Sequence, residues 1–195
     1  GSLFRLLKNG EFNMIFDKKE IQLKNGAMAI LRSPTEDDAA SLLAYMRTTA
    51  GETPFLLRYP EECTLTLEQE QKFLRNILDS ESSVMILCDV GGEIAGNCQL
   101  SRYTRLKTCH RASVAIALVK KYWNMGIGTA MFHEMIRVAK EWGVEQLELE
   151  VIEGNNRAMA LYKKRGFRVV SEKPNAIKLK DGTLLSEFLM IKDLM

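Results

Sequence analysis

The sequence predicts an α/β fold of the α+β-like kind, a mixed sheet flanked by helices, and three observations predict it. Apolar alternation and helical periodicity succeed one another in the order β-α-α-β-β-β-α-β-α-β-β, neither a strict βαβ alternation nor an all-β run. Gly91-Gly92 between two apolar runs is a hairpin signal, so antiparallel strands are expected in the middle of the chain. A length of 195 residues, 46% hydrophobic and 27% charged, suits one soluble domain with a sizeable core.

The elements follow in order. Gly1-Ser2 reads as a tag scar and Met14 as the native start. Residues 1–13 are therefore expected to be a vector-derived or disordered leader, and residues 14–195 a single domain. Ala27 to Arg32 is a short apolar strand. Thr35 then caps a helix whose first turn carries Glu36, Asp37 and Asp38, favourable at the positive end of the helix dipole. A loop rich in apolar residues, Pro54 to Pro60, leads to a second helix opening at Thr66, where Thr-Leu-Glu-Gln forms a capping box. Its expected buried stripe is Leu67, Phe73, Leu74, Ile77 and Leu78. Val84–Asp89 and Glu93–Leu100 form the hairpin, and Arg111–Val119 the next strand. A helix covers Gly126–Trp142, a strand Gln146–Val151, and a helix Asn155–Arg165 that stops at Gly166. Phe167–Val170 and Leu184–Ile191 close the sheet.

Composition excludes several function classes. The net charge of +2 disfavours a polyanion-binding surface over the whole molecule, so no nucleic-acid partner is expected. No apolar run approaches the roughly 20 residues a membrane span requires. Cys63, Cys88, Cys98 and Cys109 follow no zinc spacing, which predicts reduced thiols in a cytoplasmic protein and no metal centre.

The chemistry concentrates in two stretches. "NMGIGTA", residues 124–130, sets Gly126 and Gly128 between a strand and a helix. The first N–H groups of a helix lack intrahelical partners and stabilise an anion, and two missing Cβ atoms let a pyrophosphate approach. Asn124 is expected to cap the helix or touch the ligand. A tight strand-to-helix turn is the bland alternative. A Walker A loop is excluded by the lack of Gly-Lys-[Ser/Thr]. A dinucleotide fingerprint would use Glu150 for the ribose but puts Met131 where a small residue belongs. The second stretch, "NNRAMALYKKRGF" (155–167), offers Asn155 or Asn156 as a cap, basic residues at the helix C-terminus, and Tyr162 as a half-buried tyrosine or an acid facing the site.

Together the two stretches resemble the GNAT superfamily of N-acetyltransferases. Gly126 and Gly128 match the glycines of its [Gln/Arg]-x-x-Gly-x-[Gly/Ala] loop, with Trp123 standing at the first position. Asn155, Ala158, Tyr162, Gly166 and Phe167 match its second pattern throughout. The resemblance implies a mixed, mostly antiparallel central sheet and acetyl-CoA as co-substrate. It implies transfer of the acetyl group by direct attack of a primary amine, on a small molecule or on a protein N-terminus or lysine. Backbone groups of Met125, Gly126, Ile127, Gly128, Thr129 and Ala130, with Asn124 beside them, would hold the pyrophosphate. Ala117, Leu118 and Val119 would pair with the pantetheine arm, the Val119 N–H lying near the thioester carbonyl. Asn155 would contact the pantetheine, and Tyr162 would protonate the leaving thiolate.

Many relatives carry a glutamate on the strand before the loop. Ser113 stands in that region here, so the general base is unassigned. Two readings remain beside the enzyme: a non-catalytic acyl-CoA-binding or interaction module, and an NAD-type enzyme. Phe55, Leu56, Leu57 and Tyr59 line an acceptor pocket, belong to the core, or form the contact of a homodimer. Glu52, Glu61 and Glu62 are candidates to attract a cationic amine. Lys120, Lys121 and Lys163 to Arg165 are either a patch for the nucleotide 3′-phosphate or solvated charges. His110 and His133 read as solvent-facing side chains.

Overall fold

The computed structural model describes residues 4–6 and 12–195. The expected leader, residues 1–13, lies largely outside the described residues. Within it β1 (Phe4–Leu6) pairs antiparallel with β2 (Phe12–Met14). An eight-stranded sheet dominates the rest, in the order β3-β4-β5-β6-β7-β8-β10-β9. Its strands are β3 (Lys19–Gln22), β4 (Met28–Arg32), β5 (Ser83–Val90), β6 (Glu93–Arg102), β7 (Arg111–Leu118), β8 (Gln146–Ile152), β9 (Arg168–Lys178) and β10 (Leu184–Asp193). Every neighbouring pair in it is antiparallel except β7 and β8, which the helical crossover makes parallel.

Alternation along the strands divides the core. Val84, Ile86 and Cys88 of β5 face α3 (Ile127–Glu141) and α4 (Asn156–Lys164), whereas Met85 and Leu87 face α1 (Ala39–Glu52) and α2 (Leu67–Leu78). The β5–β6 hairpin turns on Gly91 and Gly92 with φ of 62° and 90°. Two successive positive φ values make the tight turn whose twist matches the flanking strands.

Local details correct the expected elements. Thr35 opens a short 3-10 turn, Glu36–Asp38, and the α-helix itself starts at Ala39. The buried residues of α2 are Glu70, Leu74 and Ile77, while Leu67 and Phe73 are exposed. The capping box at Thr66 forms: its hydroxyl accepts from Gln69 N at 3.2 Å, and Gln69 Oε1 accepts from Thr66 N at 2.9 Å. Thr66→Ala is expected to lower stability by about 1 kcal/mol, read by urea denaturation. β3 was not expected from sequence, since Lys-Glu-Ile-Gln offers a single apolar residue. It is an edge strand tied to α3 by Lys19, which meets the buried Glu134 carboxylate at 2.5 Å.

Candidate active site

β7 and β8 pair only through Arg111–Gln146, Ala112–Leu147 and Ser113–Glu148. Beyond these the strands part, and a cleft of about 300 Å³ opens between Val114–Leu118 and Glu150–Ile152. Packing holds the split open. The Tyr45 hydroxyl of α1 donates to Ala117 O at 2.7 Å, and Glu52 at the end of α1 accepts from Lys120 N at 2.6 Å, while β10 pairs along the whole of β8. Val119 N donates to Ala95 O at 2.9 Å, toward β6. Because backbone groups alternate sides along a strand, those of Val114, Ile116 and Leu118 turn instead toward the cleft, where β8 no longer meets them.

At the end of β7 lies the glycine loop. Gly126 is the N-cap of α3 with φ of 95°, and Ile127 and Gly128 are buried behind it. A Cβ on Gly128 would lie 2.8 Å from Leu161 Cδ2, so this glycine lets α3 and α4 approach. Ala130 N donates to Gly126 O at 3.1 Å and closes the first turn. The N–H groups of Gly126, Ile127, Gly128 and Thr129 are thus the ones without an intrahelical partner. An alanine at position 126 would be forced into the left-handed region. Gly126→Ala is expected to lose about 1–2 kcal/mol of stability in a denaturant titration.

α4 closes the other side. Asn155 Oδ1 accepts from Ala158 N at 3.3 Å and so caps the helix, with its amide left to line the cleft. Tyr162 lines the same space, 7% exposed, its ring edge-on to Phe132 at 5.5 Å. Burial pushes its hydroxyl up to about 12, against a smaller downward pull from Arg157. Arg157 stacks on Trp123, its guanidinium 3.6 Å from the ring centroid, and Trp123 Nε1 donates to Leu118 O at 2.8 Å. Phe55, Leu56 and Leu57 wall the cleft from the α1–α2 loop. Phe55 packs where a Cβ on Gly154 would lie 3.4 Å away, and Tyr59 OH accepts from Lys180 N at 3.0 Å.

A second cavity, about 330 Å³, lies on the sheet face formed by Gln99, Ser101, Ser113, Glu148 and Glu150. It shares Val114, Ala115 and Glu150 with the cleft. Register explains the face: Ser113 pairs with Ser101 and Glu148, and Ala115 with Gln99, and paired residues point the same way. The geometry is that of a split parallel strand pair with a glycine-capped helix N-terminus following β7, a buried tyrosine in the wall of the cleft and a carboxylate where two cavities meet.

The profile of the Acetyltransferase (GNAT) family matches residues 50–167. The chain belongs to the GNAT family. Among curated relatives, an L-amino acid N-acetyltransferase of Escherichia coli is 29% identical over 44% of this chain and 52% of its own length. An N-alpha-acetyltransferase of Sulfurisphaera tokodaii is 31% identical over 50% of this chain and 64% of its own. The chain thus matches about half of the first relative and just under two thirds of the second. A GNAT-family acetyltransferase structure from Streptococcus pneumoniae superposes with a TM-score of 0.79 at 28% identity, covering 85% of this chain and 99% of that one.

Several expectations for this GNAT chain change with the structure. Val119 cannot offer its N–H to the cleft, since Ala95 takes it, and Ala117 likewise turns its backbone toward β6. Of the expected trio, Leu118 alone turns its backbone toward the opening, although Ala117 also lines the cleft. Ala130 N–H is spent within α3, and Asn124, with φ of 63°, does not cap that helix because Gly126 does. Met125 uses its carbonyl to hold Lys24 N at 3.1 Å. The basic residues do not form one patch. Lys121 pairs with Glu93 at 2.6 Å, and Lys164 and Arg165 face a separate groove with Lys140 and Lys192. Glu52, Glu61 and Glu62 are taken by Lys120 N, Lys180 and Tyr59 N, respectively. Both histidines are exposed.

Two carboxylates escaped the sequence reading of the site. Glu150, considered there only for a ribose, lines the junction of the two cavities, and Glu187 of β10 lines the cleft beside it. The alternating pattern Leu-Glu-Leu-Glu-Val in β8 was the available signal for Glu150, since it puts the glutamates on one face. The dinucleotide alternative meets a wholly buried Met131 at its third small position and a sheet that splits after Glu148. Among the described residues, no helix is long and apolar enough to cross a membrane.

Proposed function

We propose that this protein is an acetyl-CoA-dependent N-acetyltransferase that acts on a primary amine by direct transfer. The observation that carries the reading is the split between β7 and β8, with a glycine cradle at one end, Tyr162 in its wall and Glu150 at its opening to the second cavity. The residues present fit the co-substrate: the four unpaired N–H groups of Gly126–Thr129 suit a pyrophosphate, and the cleft-facing edge of Ile116 and Leu118 suits an extended amide arm. Acetyl-CoA supplies an activated thioester.

Each residue then has a role. Glu150 takes a proton from the ammonium or, through water, from the attacking nitrogen. Backbone N–H groups on the β7 edge would donate hydrogen bonds to the carbonyl oxygen as negative charge develops on it. Tyr162 donates its proton to the departing sulfur as the C–S bond breaks and the C–N bond forms. Burial suits this, because a hydroxyl held near 12 stays protonated at neutral pH until a thiolate is there to receive the proton. Where the amine begins as an ammonium, its second proton leaves to solvent once the C–N bond has formed; Glu150 ends with one proton more and Tyr162 with one fewer, and exchange with solvent restores both. The cysteines need not act as nucleophiles.

Glu150 offers a carboxylate in place of the one missing near Ser113, which favours the enzyme over the non-catalytic module. The deciding experiment is a thermal-shift titration with acetyl-CoA and NAD in parallel, followed by thiol release with a panel of amines. Acetyl-CoA at about 100 times its Kd should add roughly 2.7 kcal/mol of stability. A shift with NAD alone, or no thiol release with any amine, overturns the proposal.

A further inference from the structure

The chemistry of the second cavity narrows the acceptor, an inference that rests on the acetyltransferase reading above. Gln99, Ser101, Tyr103, Ser113, Glu148 and Glu150 give it neutral hydrogen-bonding groups and acids, and no cationic side chain lines it among the described residues. Arg111, which reaches two of these lining residues, is committed to them: its Nη1 lies 3.0 Å from Glu148 Oε2, and its guanidinium covers the Tyr103 ring at 5.1 Å. Glu148 also accepts from the Tyr103 hydroxyl. Its charge is therefore answered from within the protein.

Glu150 and Glu187 hold no such contact among the described residues, although Lys173 of β9 stands opposite Glu187 in the register. Neither takes part in a side-chain hydrogen bond or ion pair among the described residues, and both line the cleft. Their placement on one face follows from register, because Glu187 pairs with Ile152, two residues along β8 from Glu150. The cation of the cleft, Arg157, is stacked on Trp123 beside the glycine loop, on the side proposed for the co-substrate. Two carboxylates with no ion pair among the described residues thus flank the opening through which the amine would reach the thioester.

We infer that the acceptor is a primary ammonium with no carboxylate beside it, and that Glu187 is a specificity-determining residue that rejects free amino acids. A free amino acid would bring its carboxylate against Glu150 and Glu187, and among the described residues the cavity linings offer it no cation besides the stacked Arg157; Lys173, opposite Glu187 in the register, lines neither cavity. The α-amine of an amidated or peptide-linked residue, or one end of a diamine, brings only positive charge and hydrogen-bond donors.

The test measures kcat/KM for L-alaninamide, 1,4-diaminobutane and L-alanine at fixed acetyl-CoA. The amide and the diamine are expected to exceed L-alanine by about ten-fold or more. The better of those two distinguishes a peptide-like from a polyamine-like acceptor, and either agrees with the inference. An amide is also a weaker base than its amino acid, so the deciding quantity is the amide-to-acid ratio in variants. Glu187→Lys should lower that ratio about ten-fold by giving the carboxylate a partner, and Glu187→Gln should lower it less, both with an unchanged Kd for acetyl-CoA. L-alanine turned over as well as the amide by the unaltered protein, or a ratio that stays constant across both variants, overturns the inference while leaving the acetyltransferase reading in place. Absence of turnover with any amine instead removes that reading, and this inference with it.

Discussion

Tyr162→Phe is expected to lower kcat about a hundred-fold or more while leaving the Kd for acetyl-CoA within a few-fold of the original value. The substitution keeps the ring that packs edge-on against Phe132 at 5.5 Å and tilted against Phe167 at 6.3 Å. It removes only the hydroxyl, for which no protein partner is found among the described residues. A structural role would therefore show as lost stability, and a proton-donor role as lost turnover with stability retained. The pH profile sharpens the distinction. Burial raises the Tyr162 hydroxyl to about 12, so it is protonated throughout the neutral range and should contribute no alkaline loss of activity below that value. The same shift makes the folded state disfavour the tyrosinate. The stability it represents is fully present below the ordinary tyrosine value near 10 and is lost as pH rises from there through about 12. A Tyr162→Phe protein with undiminished kcat would remove this residue from the mechanism.

Glu150→Gln is the second large effect. Gln keeps the size and hydrogen-bonding capacity of the side chain but cannot take a proton, so kcat/KM at neutral pH should fall by about 10²-fold. The loss should shrink as pH rises and more of the amine is already neutral, near pH 8 for an α-amine and above 10 for an alkyl amine. Steady-state kinetics from pH 6.5 to 9.5 read this directly. A loss that is the same at every pH would assign Glu150 to binding of the acceptor, and an unchanged profile would assign the proton to another group.

The residues of the site differ in how legible they were. Gly126 and Asn155 could be read from local conformation, whereas Gly128 and Tyr162 entered through the resemblance of their motifs to the GNAT patterns. Gly126 adopts a positive φ, Asn155 caps a helix, and Tyr162 lies near the end of α4, before the Gly166 turn. The role of Val119 was misplaced because a one-residue change reverses which edge of a strand a backbone group faces. The hydrogen bond from Val119 to Ala95 settles that parity, and it continues the unshifted register that pairs Leu118 with Gly96. The α2 stripe erred for a related reason. Helical periodicity marks a face but not its rotation, and the packing of α2 on α1 and β5 turned Glu70 inward and Phe73 outward. β3 and the outer half of β9 were invisible because edge strands that bury little need no apolar alternation.

What the sequence determined by itself is the set of locally encoded parts: the Gly91-Gly92 turn, the Thr66 capping box, the glycine entry to α3, and the Asn-to-Phe segment of α4. These depend on backbone conformations and hydrogen bonds spanning a few residues, so residue type at fixed spacing is enough to specify them. Tertiary structure alone decided that β7 and β8 part after Ser113 and Glu148, and that Glu150 and Glu187 come to stand together at the opening. Those outcomes depend on the grip of Tyr45 and Glu52 on the end of β7 and on the register of β10 against β8. Contacts between segments more than thirty residues apart leave no periodic trace in either one, and the packing of the whole domain sets them.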